Sequence, residues 1–307
     1  MSDKTIRIGT RKSDLAMWQA REVSDALSRA FPGLNVEIVK ISTKGDAVLD
    51  VALSKIGDKG LFTREIELAL SDGRIDMAVH SLKDLPTALP EGLVIGGVLP
   101  RGEVRDVLIS TQKFSLKEMP DGSRIGTSSL RRQAQLLHFN PNLEVVDIRG
   151  NVNTRLRKMK EDHCDALLMA GAGILRLGLD HEISDFIDPS IILPAVSQGA
   201  VAVEIREDDP EMEAFMKGVN DMSTWQATMA ERAFLRTIEG GCQVPVGCFS
   251  QATDSSIRLT GMVASVDGRQ LLRESVEGAL DDAETMASGL ASELLARGGK
   301  EILDQIR

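Results

Sequence analysis

The chain has 307 residues, 42% hydrophobic and 27% charged, which implies a soluble globular protein of two or three domains. Its net charge of −10 argues against binding duplex nucleic acid through the overall field, and no run approaches the roughly 18 apolar residues of a membrane span. With no Tyr, eight Phe and two Trp the cores must be aliphatic, and three cysteines (Cys164, Cys242, Cys248) make no disulfide framework. The first residues, Met1–Arg7, contain no apolar signal core, so a cytoplasmic location is expected.

Thr5–Gly9 reads as a strand. Ser13 is a candidate N-cap for a helix whose Ala16, Ala20, Val23 and Leu27 recur at helical spacing. Asn35–Ile41 alternates as a strand does, and Ser42–Gly60, rich in Gly, Asp and Lys, reads as a long mobile loop. Phe62, Ile66 and Leu70 make a helical stripe that Gly73 stops, and Ile75–Val79 and Leu93–Leu99 are strands. Val107–Ser110 and Arg124–Thr127 are strands, followed by helix Ser129–His138, strand Leu143–Ile148, helix Val152–Lys160, strand Ala166–Ala170 and a helix starting at Ile174. Such alternation predicts an α/β class with parallel, doubly wound sheets and a ligand cleft between two units. The expected domains are 1–100 with a return segment at about 200–218, then 105–195, then a small α+β domain at 220–307. The return is the strand-like run Val201–Ile205. The last domain has helix Thr224–Ile238, a cysteine loop, strands Ile257–Val263 and Gln270–Val276, and helix Asp282–Ala296.

Basic residues stand where strands turn into helices. Arg11 precedes Ser13, Lys55 and Lys59 lie in the long loop, and Lys83 follows a strand. Thr127-Ser128-Ser129-Leu130-Arg131-Arg132 sets hydroxyls and guanidiniums at a helix start; Arg149-Gly150-Asn151 repeats the device, with Arg155 a turn later and Arg176 in the next helix. Helix starts attract anions, and arginine grips carboxylate or phosphate with two parallel bonds. In a doubly wound fold these junctions share the carboxyl edge of the sheet, so the set predicts a polyanion site in an otherwise acidic chain. His80-Ser81-Leu82-Lys83-Asp84 lies at the same kind of edge. Asp84 is a candidate to stabilise a developing cation or to shuttle a proton, while His80 reads as a packed or hydrogen-bonded histidine. Cys242, in Gly240-Gly241-Cys242-Gln243-Val244-Pro245, is either a small buried hydrophobe or a thiol open to something bulky. Zinc spacing, a dinucleotide fingerprint, a P-loop and a nucleophile elbow are all missing.

Together these segments resemble the porphobilinogen deaminase (hydroxymethylbilane synthase) family along nearly the whole chain. The likeness rests on Arg7-Ile8-Gly9-Thr10-Arg11-Lys12-Ser13, Lys59-Gly60-Leu61-Phe62, Ala78-Val79-His80-Ser81-Leu82-Lys83-Asp84, Gly126–Arg132, Arg149–Arg155, Gln198-Gly199-Ala200 and Glu239-Gly240-Gly241-Cys242. The resemblance implies head-to-tail condensation of four porphobilinogen molecules into hydroxymethylbilane, with ammonia released. It implies a dipyrromethane cofactor, joined by a thioether to Cys242, that primes the growing pyrrole chain. Asp84 matches the catalytic carboxylate. Arg11, Ser13, Lys83, Thr127, Ser129, Arg131, Arg132, Arg149, Arg155 and Arg176 match residues that hold acetate and propionate groups. Lys55, Lys59, Ser81, Ser128, Gly150, Gln198 and Gly199 join the expected binding set, and Phe62 is a candidate either to stack on a pyrrole or to pack in the core. Asp58 and Ser197 stand where some members carry Gly, and Cys248 is an extra thiol.

A monomer is the default expectation, since nothing in the chain demands an oligomer; charge and hydropathy give neither nucleic acid nor membrane as partner, and hand-over of product to uroporphyrinogen-III synthase is the expected onward step. Two α/β units around an anion cleft also describe periplasmic solute-binding proteins and the effector domains of transcription regulators. A covalent chromophore separates the enzyme from both.

Overall fold

The computed structural model describes residues 5–47, 60, 62–238, 244–253 and 255–306. In chain order the strands are β1 (Thr5–Arg11), β2 (Asn35–Ile41), β3 (Met77–Ser81), β4 (Leu93–Val98), β5 (Asp106–Ser110), β6 (Arg124–Gly126) and β7 (Glu144–Val146). They continue with β8 (Ala166–Ala170), β9 (Asp185–Phe186), β10 (Val201–Arg206), β11 (Val246–Ala252), β12 (Ser256–Ala264) and β13 (Leu271–Ala279). Two compact units result. One gathers the described residues through Gly102 together with Ala200–Trp225; the other holds Glu103–Gly199 and Gln226 onward.

The first unit has one five-stranded sheet in the order β2-β1-β3-β10-β4. β1 pairs parallel with β2 and β3, whereas β10 is antiparallel to both β3 and β4. Helix Asp14–Ala30 begins where the sequence places it, because the Ser13 hydroxyl accepts a hydrogen bond from the Ala16 N–H at 3.4 Å. Its Ala20, Val23 and Leu27 pack with Ile6, Ile8, Met77, Val79, Val203 and Ile205 in an aliphatic core. The edge-to-face pair of Phe31 and Phe215, 5.0 Å between centroids, is its aromatic corner.

The second unit repeats the plan with a sheet in the order β7-β6-β8-β5-β9. β6 is parallel to β7 and β8, and β5 is antiparallel to β8 and β9. The α/β class is as the alternation implies, but neither sheet is purely parallel. The exceptions have one cause in chain connectivity: β5 and β10 each open the segment that follows a passage of the chain from one unit to the other. Alternation within a unit carries no trace of a strand delivered that way.

The same unit holds the antiparallel sheet β11-β12-β13, backed by helices Met222–Thr237 and Ala283–Leu294. Phe234 is fully buried there against Gly261, where an added Cβ would come within 2.4 Å of its ring. Cys248 is fully buried in this core, in the role of a small hydrophobe. The helix Pro210–Val219 and strands β9 and β11 are absent from the sequence reading. In the expected loop Ser42–Gly60, Lys44–Ala47 forms one helical turn, and 48–59 lie outside the described residues. Among the described residues no helix is long and apolar enough to cross a membrane.

Candidate active site

In the first unit the site begins where β3 ends. Tertiary pairing carries β3 two residues past the expected end, because Ser81 pairs with Val201 and His80 with Ala202. A single 3-10 turn, Leu82–Asp84, follows directly. Leu82 is fully buried, its N–H donates to the Ala200 carbonyl, and its own carbonyl accepts from Leu85 N–H. Pinning Leu82 inward leaves Lys83 half-buried and turns Asp84 to solvent at the carboxyl end of the strand. The Ser81 hydroxyl accepts from Gln19 Nε2 at 2.8 Å. β1 is the parallel neighbour of β3, so Arg11 and Ser13 lie at the same sheet edge as Asp84. The Arg11 guanidinium sits 4.3 Å from the Phe62 ring centroid. One face of Phe62 is therefore occupied by a cation rather than by core or by a pyrrole.

The second unit builds a matching edge from β6, β7 and β8. After β6, the Thr127 hydroxyl accepts from Ser129 N–H, and the Ser128 hydroxyl donates to the Ile148 carbonyl at 2.6 Å. Ser129 stands at the N-cap of helix Leu130–Phe139 without a side-chain bond to that helix, which leaves its hydroxyl at the helix mouth. After β7 comes Arg149-Gly150, then Asn151, whose side chain caps helix Val152–Lys160 by accepting from Thr154 N–H at 2.9 Å. Gly150 holds φ at +120°, and a Cβ there would meet the Thr154 side chain at 2.6 Å, so the turn requires glycine. Arg155 Nε donates to the Gly150 carbonyl, and Arg176, at the end of the helix after β8, donates to the Gly199 carbonyl at 2.6 Å.

Arg149 is only 7% exposed, and its buried Nη1 has no hydrogen-bond partner among the described residues. A buried guanidinium N–H without an acceptor is costly, and an incoming carboxylate removes that cost.

Arg131 and Arg132 differ from the sequence reading. They point inward, and both engage Asp106, which is fully buried: Arg131 Nη2 at 2.8 Å from Oδ2, and Arg132 Nη2 at 2.8 Å from Oδ1. Arg131 Nη1 donates to the Leu193 carbonyl. Gln198, also fully buried, gives its amide hydrogens to the Val104 carbonyl and to Asp106. Gln198 therefore orients Asp106, and the Gly199 carbonyl accepts from Arg176. Burial alone would raise the Asp106 carboxyl, but the charges of Arg131 and Arg132 overcome it and hold the group far below the usual carboxylate range. Burial in turn pushes the Arg131 guanidinium down against the pull of Asp106. Two guanidiniums share one carboxylate, so the cluster keeps an excess of positive charge. Sequence reasoning missed Asp106; a lone Asp at the start of a strand carries no signal of its partners.

Cys242, Lys55 and Lys59 lie outside the described residues. Cys164 is buried, and burial pushes its thiol up to about 11, which makes it a poor nucleophile. Among the described residues no group of His, Cys, Asp and Glu is arranged to hold a metal ion.

The Asp106 cluster generates a pH-dependent stability with a definite sign. Its depressed carboxyl contributes stability that is complete above the unfolded Asp value of about 3.9 and is lost as pH falls below it. Asp106→Asn leaves two buried guanidiniums without a counter-charge, at a cost of about 3–5 kcal/mol near neutral pH. Thermal unfolding is expected to show a wide gap between wild type and Asp106→Asn that stays constant from neutral pH down to about pH 4 and narrows only as pH falls further.

The chain is similar to known proteins along nearly its whole length. Residues 6–214 match the family model of the porphobilinogen deaminase dipyrromethane cofactor binding domain, and 225–296 match that of the porphobilinogen deaminase C-terminal domain. Porphobilinogen deaminase of Moorella thermoacetica is 51% identical over 98% of this chain and 96% of its own length. That of Pelotomaculum thermopropionicum is 52% identical over 99% and 97%, and that of Synechococcus elongatus 49% over 99% and 96%. Among solved structures, the methionine-binding protein MetQ overlaps 72% of this chain and 92% of its own, at 17% identity and a TM-score of 0.44. The chain belongs to the porphobilinogen deaminase family, the transferases that join porphobilinogen units into hydroxymethylbilane on a dipyrromethane cofactor.

Proposed function

We propose that Asp84 is the catalytic carboxylate of this enzyme, and that the cationic groups at the two sheet edges hold the acetate and propionate side chains of the pyrroles. Asp84 is exposed, fixed by the pinned Leu82, and adjacent to Lys83. When ammonia leaves the aminomethyl carbon of porphobilinogen, positive charge builds at the pyrrole nitrogen; a second cation appears there when the new carbon–carbon bond forms. A carboxylate held at one place stabilises both without reorganising. Arg11, Ser13 and Lys83 serve the first edge. Ser129, Arg149, Arg155 and Arg176 serve the second, backed by the excess charge of the Arg131–Asp106–Arg132 cluster.

The observation that carries this reading is the unpartnered, buried Nη1 of Arg149. Each pyrrole brings two carboxylates, and a buried cationic donor with no acceptor suits one of them. The described residues thus fit a dipyrromethane, and we assign its thioether to Cys242. When bound, that group supplies the primer whose terminal pyrrole carbon accepts the first substrate. Arg149 and its neighbours orient carboxylates, and Asp84 faces the charge that develops. The reading includes a monomer in the cytoplasm that passes its product to uroporphyrinogen-III synthase; the buried thiols of Cys164 and Cys248 suit a reducing compartment.

Asp84→Asn removes the charge at constant size. It is expected to melt within about 1 kcal/mol of wild type, as exposed substitutions do, while single-turnover consumption of porphobilinogen collapses; near-normal turnover would refute the assignment. Arg149→Leu removes a costly unpartnered donor. It is expected to slow chain growth, read as accumulation of short enzyme-bound pyrrole chains in intact-mass spectra, with no matching loss of stability.

A further inference from the structure

Behind the catalytic turn lies a cluster that the chemistry above does not use. His80, the residue before Ser81, is 6% exposed, and its Nε2 is 3.2 Å from Oε2 of Glu204, which is fully buried. Glu204 comes from β10, whose first pairs brace the end of β3 and whose preceding residue, Ala200, accepts from the Leu82 N–H. His80 pairs with Ala202 and Glu204 with Ala78, so the two side chains are diagonal neighbours on one face of the sheet. Glu67, 7% exposed, projects from helix Arg64–Ser71, which packs over β1, β3 and β10. Glu67 Oε1 and Glu204 Oε1 are both buried and accept no hydrogen bond among the described residues.

A buried polar pair is a poor device for stability, since an apolar pair of similar size does as well or better. Main-chain bonds already join β3 to β10. The His80–Glu204 contact adds a directional tie that runs diagonally along the ladder, from Glu204 at its far pair to His80, one residue short of the end at Ser81 where the turn bearing Asp84 begins. We propose that His80 and Glu204, with Glu67 behind them, are positioning residues for the Leu82–Asp84 turn. They set the height and direction of Asp84 without touching substrate. This rests on the assignment of Asp84 as the catalytic carboxylate.

Glu67 tunes the device. Burial pushes its carboxyl up from the ordinary range, and the nearby charge of Glu204 adds to the effect. The titratable groups that face it are Glu204 from β10, His80 from β3 and Glu65 from its own helix. From β1, Arg7 is engaged with Asp76 and Arg11 lies over Phe62. As pH rises Glu67 ionises and sets its negative charge beside Glu204. The stability tied to this proton is present at low pH and is lost as pH rises through the folded-state value.

The test uses holoenzyme, with cofactor loading verified by mass for every variant. Glu204→Gln is expected to lower kcat about 10-fold with KM within about twofold, the pattern of an interaction that matters in the transition state. His80→Gln, which keeps a donor toward Glu204, is expected to retain more activity than His80→Leu. Glu67→Gln, a mimic of the protonated acid, is expected to fold. It should move the alkaline limb of the kcat profile upward by at least about half a pH unit, and its melting temperature should exceed that of wild type by a margin that grows with pH. If the kcat profiles of Glu67→Gln and Glu204→Gln superimpose on wild type while Asp84→Asn is inactive, the positioning role is wrong and the catalytic assignment stands. An active Asp84→Asn removes the assignment itself.

Discussion

Two guanidiniums leaning on one buried carboxylate organise the second unit. Asp106 opens β5, and Arg131 and Arg132 open the helix after β6; their bonds tie a helix start to the strand that enters the sheet antiparallel. Gln198 adds the segment through which the chain leaves the unit, and Arg131 adds the Leu193 carbonyl. A cluster of this kind is expensive to bury and survives only with complete geometry. Here two guanidiniums share that one carboxylate. An acidic chain thereby keeps positive charge in its interior, beside the edge that also presents Arg149, Arg155 and Arg176.

The first unit shows the opposite sign. Its buried ionisable cluster is His80, Glu204 and Glu67, and the group at its surface is the Asp84 carboxylate. Condensing porphobilinogen calls for both signs. Carboxylates on every pyrrole must be held by cations, and the cation that forms at each pyrrole nitrogen must be met by an anion.

Much of this was legible in the residues. Ser13 caps its helix as its position implies, and the strand-to-helix junctions that carry Arg11, Asp84, Ser129 and Arg149 lie at the carboxyl edges of their sheets, because parallel pairing of β1 with β3 and of β6 with β7 follows from helical crossovers. Direction was not legible. On a sequence basis Arg131 and Arg132 stand at a helix start in an anion site; they face inward because of Asp106, 25 and 26 residues earlier, and Gln198 meets Asp106 across 92. The end of β3 was misplaced because β10, from more than a hundred residues later, pairs with His80 and Ser81. Phe62 was left between core and pyrrole, and local pattern gave no sign that Arg11 would cover it. In each case the deciding partner is remote, and spacing along the chain encodes only local geometry.

The central claim is that these charges serve a covalently primed chain of pyrroles held from Cys242. The direct measurement is the intact mass of the purified protein before and after exposure to porphobilinogen, with any added mass located by peptide mapping. A gain of two linked pyrrole units on the Cys242 peptide, followed by further single-pyrrole steps, is the predicted result. A protein that stays unmodified after repeated exposure, or carries the adduct at Cys164 or Cys248, would contradict it.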